Sequence, residues 1–339
     1  MNELPYANSP TSKNLYMALE LFIALLAITG NFLVCLAFTR TKRLRTVTNY
    51  FLASLAVADM LVGLVAIPCA VFTDLGQPHH DLPLCLLMLS VLLVLTQSSV
   101  LSLLAVAAER YMAILMPFQY QRLMSPRAAR LTLLFTWTMA VLSGCVPIIH
   151  WRNQDSTYCV FTCVIDMSFM VYFNFFCFML VPLIAMFIIY AHIFLIVQCQ
   201  LRRIAQTRTR TPSSGSVDAV EGQTRNDTQR PSIDSIFTLT NALDPNRVKT
   251  IRTHQEMQKA TSLFLLLFLF TLCWMPIHLI NCVLFFCPTC NVPVSIILVA
   301  IMLSHANSAL NPVLYAYRLT SFRRALVDMW RSMWGCKHN

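Results

Sequence analysis

Charge is scarce in this chain. Of its 339 residues only 12% are Asp, Glu, Lys or Arg, while 57% are hydrophobic, and the mean hydropathy is +0.62. A soluble domain this apolar would expose large sticky patches, so the composition points to a membrane protein. Acidic residues are the rarest charges, 15 against 25 Lys and Arg. In a membrane protein such an excess marks cytoplasmic loops and contact with anionic lipid, and no nucleic-acid partner is needed to explain it. No internal repeat and no continuous polar pathway is visible, which argues against a transporter or channel. Intramembrane hydrolysis would need paired Asp, a Ser–His pair or a His–Glu zinc motif, and the scattered acids and imidazoles do not supply one, so no enzyme is expected. Residues 1–14 lack the apolar core of a cleavable signal, which leaves the first spanning helix as the expected insertion signal.

Long apolar runs are what the chain does have. Seven occur, at 16–38, 50–73, 82–117, 131–149, 167–201, 261–288 and 292–317. Each meets or nearly meets the ~20 residues that a helix needs to cross ~30 Å of hydrocarbon. Backbone groups in lipid must bond internally, so helices are expected. The predicted fold is all-α: a polytopic seven-transmembrane helix bundle with a short amphipathic eighth helix. The expected order is an extracellular N-terminus at 1–15, helices one to five over 16–203, a disordered third cytoplasmic loop at 204–250, helices six and seven over 251–318, and the eighth helix with the tail at 319–339. Orientation follows from basic residues near the helix ends. Arg40, Lys42, Arg43 and Arg45, then Arg122, Arg127 and Arg130, then Arg202 and Arg203, then Arg318, Arg323 and Arg324 all fall on alternate loops and the tail. The stretch 204–250 is polar and without periodicity; Ser232 and Ser235 within it are candidate kinase targets. Cys336 follows the amphipathic stretch and is a candidate palmitoylation site.

Polar residues at membrane depth are few and costly, so each needs a reason. In the sixth segment Trp274, His278 and Asn281 are spaced four and three apart and share one helix face, with Pro276 among them to bend the helix. They form either a polar-tipped pocket beside a kink or ties to neighbouring helices. Asp59 sits midway along the second segment with no Lys or Arg at its depth. Ser99, Asn307, Ser308 and Asn311 are expected to surround it with oxygens, a set that suits a sodium ion or a protonated Asp in a hydrogen-bond network. Glu20 and His305 are placed to pair near the outer face. Glu109-Arg110-Tyr111 closes the third segment, where Arg110 has Glu109 and Glu256 as candidate partners and can form a latch between helices three and six. The alternative is an interfacial Arg reaching for headgroups. Cys85 and Cys159 both fall outside, which allows a disulfide. Cys287 and Cys290 read better as a small loop-closing disulfide than as a redox or zinc motif, since a second Cys pair is missing.

Taken in order, Gly30-Asn31, Leu55-Ala56-Val57-Ala58-Asp59, Cys85 with Cys159, Glu109-Arg110-Tyr111, Cys273-Trp274-Met275-Pro276 and Asn311-Pro312-Val313-Leu314-Tyr315 resemble the rhodopsin-like (class A) G-protein-coupled receptors over all but 204–250. Residues 272–282, 303–308, 95–99 and 170–176 are similar to the sixth, seventh, third and fifth helices of the adenosine receptor group. That resemblance implies a receptor at the plasma membrane for adenosine or a related nucleoside, acting on heterotrimeric G proteins, with arrestin and receptor kinases as further partners. A class A receptor for another small neutral ligand is the alternative, and a transporter a distant one. The resemblance also implies roles. Asn281 clamps the purine, Phe161 stacks on it, and Ser304, His305 and Thr96 reach the ribose. Glu20 fixes His305, and Trp274 lies beneath the sugar. His278, Leu93, Gln97, Met170, Asn174, Ile277 and Ile301 complete the expected pocket. Tyr190 and Tyr315 are implied to turn inward as the sixth helix swings out at Pro276.

The chain departs from the group in two linked places. Thr162 stands where most members have a Glu that holds the purine amine, and Val292 replaces a His that pairs with that Glu. With neither charge left unpaired, a more open pocket mouth is expected. These features incline the chain to the third, inhibitory-coupled subtype. No cofactor is expected beyond the allosteric sodium ion.

Overall fold

The computed structural model describes residues 10–78, 80–149, 159, 161–210, 245–287 and 289–333. By packing, the chain divides into two units: Met1–Tyr190 with Ser262–Asn339, and Ala191–Thr261. Among the described residues, seven helices are long and apolar enough to cross a membrane: Lys13–Arg40, Val47–Asp74, Leu82–Leu115, Pro126–Ile149, Phe169–Arg203, Gln255–Phe286 and Val294–Arg318. They are called the first to seventh helices below. An eighth helix covers Thr320–Met333. No strand occurs among the described residues; the one isolated bridge joins Gly76 to Cys159.

The helix bundle turns its apolar surface outward. Leu131, Leu134 and Phe135 of the fourth helix are exposed, as are Leu21, Phe22 and Leu25 of the first. In water such faces would aggregate; in lipid they are matched to their solvent. The inside is richer in small and polar groups. The third helix is the most buried of the seven, and its inner positions include Ser90, Thr96, Gln97, Ser98, Ser99 and Ser102. Without a hydrophobic drive between helices, close packing and hydrogen bonds must hold the bundle. Gly144 permits one close approach: a Cβ there would lie 2.7 Å from the backbone nitrogen of Val94. Trp137 Nε1 donates to Ser54 Oγ at 2.9 Å, joining the fourth helix to the second. Asn31 Nδ2 donates to the Ser308 carbonyl at 2.9 Å, joining the first to the seventh.

Helix ends differ from the expected boundaries. The first helix starts at Pro10, inside the segment expected to precede it. The fifth continues to Arg210 and the sixth begins at Pro245, so both ends of the stretch 204–250 are helical. The physical reason is that nucleation is the costly step; a formed helix extends into polar sequence at little cost. In the second unit Lys259 Nζ lies 2.8 Å from Glu256 Oε1, one turn apart. Ser232, Ser235 and Cys336 lie outside the described residues.

Two spanning helices carry π-helical turns, Val62–Ala66 in the second and Phe169–Leu180 in the fifth. Each turn shifts the register of the residues beyond it. The sixth helix continues through Pro276, and the seventh through Pro312. The eighth helix is amphipathic as expected. Phe322 and Ala325 are buried, Arg323 and Arg324 exposed, and the Phe322 ring stacks on Tyr315 at 5.8 Å.

Candidate ligand site and helix switch

The disulfide Cys85–Cys159 forms, with Cα atoms 5.7 Å apart, and so does Cys287–Cys290. The first ties the chain near Phe161 to the start of the third helix. It also sets Cys159 N against the Gly76 carbonyl at 3.3 Å, beside the end of the second helix. Around it Leu86, Leu89 and Leu93 of the third helix meet Met170 of the fifth, and Phe161 packs against the same cluster. Phe161, Leu93 and Met170 thus belong to one apolar cluster.

One turn further along, Gln97 donates through Nε2 to Asn174 Oδ1. Both are buried, and Gln97 Oε1 has no partner. On the sixth helix an aromatic column runs from Phe270 to Trp274 at 6.1 Å, from Trp274 to His278 at 6.1 Å, and from His278 to Phe175 at 5.1 Å, where the rings are stacked. Trp274 Nε1 and both His278 nitrogens are buried without a hydrogen-bond partner. Buried polar groups are almost always satisfied, so three such atoms on one helix face stand out. Asn281, on the same face, is buried and makes no hydrogen bond with the described residues. Trp274 and His278 make no side-chain hydrogen bond to a neighbouring helix among the described residues; His278 meets the fifth helix through its stack on Phe175.

The seventh helix completes this end. His305 Nδ1 and Glu20 Oε2 are 2.8 Å apart, and both side chains are buried. In the tautomer whose Nδ1–H donates to Glu20, Nε2 is the acceptor nitrogen of the ring. Ser304 Oγ donates to the Ile301 carbonyl at 2.7 Å, and Thr96 Oγ1 to the Leu92 carbonyl at 2.9 Å. Their oxygens retain lone pairs for a second bond. Ile277, Ile301 and Val292 are half-buried. The side chain of Thr162 lies outside the described residues.

At mid-depth, Ser308 Oγ donates to Asp59 Oδ1 at 2.9 Å and Asn311 Nδ2 to Oδ2 at 2.7 Å. Asn307 Oδ1 is buried nearby in sequence without a partner. Ser99 instead donates to the Leu95 carbonyl of its own helix at 3.1 Å, so it is not one of the hydrogen-bond donors to Asp59. A buried hydroxyl with no better acceptor back-bonds to its own turn.

At the other end of the third helix, Arg110 pairs with Glu109 through Nε at 2.6 Å and through Nη2. Nη2 also donates to Thr48 Oγ1. Thr48 in turn donates to Glu109 Oε2 at 3.0 Å, and Tyr120 OH to Oε1 at 2.6 Å. Of the two expected partners, Glu109 thus holds Arg110 within this unit. Thr48 and Tyr120 were not foreseeable from spacing: one belongs to the second helix and the other to the short helix Pro117–Leu123. Tyr190 and Tyr315 are already almost fully buried, and Tyr315 OH has no partner.

A spanning bundle with unsatisfied polar groups toward one end and a caged Arg toward the other has the parts of a ligand-operated switch. Residues 30–315 match the family described as 7 transmembrane receptor (rhodopsin family), and the chain belongs to it; it is a multi-pass membrane protein. Adenosine receptor A2b of Mus musculus is 39% identical over 334 residues, 92% of this chain and 89% of that protein, and the Homo sapiens A2b receptor has the same values. Adenosine receptor A2a of Canis lupus familiaris is 36% identical over 335 residues, 94% of this chain and 72% of that protein. Within its family this chain belongs to the adenosine receptor group, a group of receptors and not of enzymes.

Proposed function

We propose that this chain is a plasma-membrane receptor for extracellular adenosine, with its N-terminus outside, that passes agonist binding to heterotrimeric G proteins regulating adenylate cyclase. The observation that carries this reading is the Asn281 amide, buried and without a hydrogen bond among the described residues, in a chain whose relatives are named adenosine receptors. An amide offers one donor and one acceptor face to an adenine edge. Phe161 supplies an aromatic face for the base. His305, oriented by Glu20, receives the ribose with Ser304 and Thr96, and Trp274 lies beneath the sugar. Agonist spanning the sixth and seventh helices favours the conformation in which the sixth helix swings about Pro276 and Arg110 leaves its cage. It does so only by the difference between its affinities for the two states.

Sodium at Asp59 opposes that change. The oxygens that would hold it are the Asp59 carboxylate, Ser308 Oγ and the unpartnered Asn307 Oδ1; Asn311 turns its Nδ2 toward Asp59 in this structure. Coupling to the inhibitory type of G protein, with arrestin and receptor kinases downstream, rests on the sequence resemblance; lipidation at Cys336 rests on its place after the amphipathic eighth helix. Thr162 and Val292 favour a second reading, a different nucleoside as the preferred agonist. Binding of a radiolabelled adenosine analogue to cells expressing the chain, with a cyclic-AMP readout, tests both. Saturable binding with a fall in cyclic AMP is expected; displacement by another nucleoside in preference to adenosine favours the second reading, and no nucleoside binding overturns both.

A further inference from the structure

The end of the second helix carries a carboxylate that the proposed adenosine site does not use. Asp74 Oδ2 accepts from Tyr16 OH of the first helix at 2.7 Å. Its other oxygen accepts nothing from the described residues. Asp74 lies within electrostatic reach of both Glu20 and His305. Tyr16 and Glu20 are one turn apart on the first helix, so the phenol and the two carboxyl groups share a side of the bundle with the His305 imidazole. The cluster is held in place from behind: Gly76 is bridged to Cys159, which is locked to Cys85.

Its charge does not balance. Two carboxyl groups face one imidazole, and neither is paired with a Lys or Arg among the described residues. Glu20 gives one oxygen to His305, and its other oxygen, Oε1, is fully buried with no partner. A buried carboxylate oxygen without a donor is costly, and an N–H donor carrying positive charge satisfies it best.

We infer that Asp74 and Glu20 form an anionic subsite beside the ribose position, which takes an ammonium group carried by a nucleoside ligand. This rests on the adenosine reading of the main site. The subsite makes Asp74 a specificity-determining residue. A ligand that places an ammonium there pairs with the free Asp74 oxygen and donates to Glu20 Oε1. A matched neutral ligand leaves both unsatisfied.

The test is competition binding on the full chain in membranes. The probes are pairs of adenosines with a short arm ending in a primary amine or a hydroxyl, the arm placed at the ribose 3′ position or at C2. The readout is the ratio of amine to hydroxyl affinities within a pair. In the native chain at least one pair is expected to favour the amine by about tenfold, equivalent to ~1.4 kcal/mol. Asp74→Asn should bring that ratio to near one. Tyr16→Phe, which releases Oδ2 from the phenol, should raise it. If Asp74→Asn fails to bind any ligand, the Tyr16→Phe ratio decides. A native ratio near one for both pairs, or a ratio unmoved by either substitution, overturns the subsite. Failure of adenosine itself to bind the native chain overturns the main-site reading instead, and so separates the two.

Discussion

His305 Nδ1 lies 2.8 Å from Glu20 Oε2, which joins the seventh helix to the first at a point where neither side chain reaches solvent. The pair fixes the ring of His305 and aims its second nitrogen. Glu20→Ala removes the acceptor and leaves a buried imidazole unsatisfied, at a cost of roughly 1–3 kcal/mol. The expected outcome is unequal. Adenosine should lose affinity by about tenfold or more, while a purine ligand lacking ribose should lose less, because it does not use His305. Competition binding with one ligand of each kind checks this. Equal losses would mean that the pair only holds the helices together.

Asn281 is the counterpart on the purine side. Its amide is buried and bonds nothing among the described residues, so removing it breaks no internal tie. Asn281→Ala should abolish detectable binding of the radiolabelled analogue while surface expression persists. Retained binding at native affinity removes Asn281 from the site.

Much of this was readable in advance, and for a physical reason. Ionisable and amide groups are so costly in lipid that each one announces itself. Glu20 with His305, and Asp59 with Ser308 and Asn311, are joined as the apolar background led one to expect. Both disulfides join cysteine pairs that the sequence allowed. Apolar and interfacial neighbours from other helices were not readable. Phe175 stacks on His278, and Tyr120 caps Glu109, because the helices pack as they do and because the π-helical stretch Phe169–Leu180 resets the face of the fifth helix. Periodicity carries no sign of such a reset. Asp74 was legible as a carboxylate but not as a partner of Tyr16, since that pairing depends on where the second helix ends. Helix ends failed for a related reason: polar flanks at 204–210 and 245–250 extend existing helices without any apolar pattern.

Asp59 accepts from Ser308 and Asn311, and Asn307 Oδ1 has no protein partner. If the proposed sodium ion stabilises the conformation that binds agonist less tightly, raised sodium should lower agonist affinity in the native chain. Asp59→Asn removes the charge while keeping the shape, and its agonist affinity should not respond to sodium. The check is an agonist competition curve in sodium chloride against one in a large organic cation salt at equal ionic strength. The same sodium sensitivity in both proteins refutes an ion at Asp59.

The cage around Arg110 makes a prediction about the unliganded receptor. Glu109 is held by Arg110, by Thr48 and, at 2.6 Å, by the hydroxyl of Tyr120. Glu109 is almost fully buried, so the loss of one donor leaves part of its charge unanswered. Tyr120→Phe deletes only that donor and keeps the ring. A hydrogen bond to a charged group is worth about 1.5–3 kcal/mol. Part of that strain is carried by the closed state alone if Arg110 leaves Glu109 on activation, and only the part that differs between states shifts the equilibrium. A differential of ~1 kcal/mol corresponds to roughly a fivefold rise in the active fraction. Basal nucleotide exchange on a co-expressed G protein should therefore rise several-fold in Tyr120→Phe without agonist, and Thr48→Val should move it in the same direction. Unchanged basal exchange in both would mean that the cage is present equally in both states and plays no part in the switch.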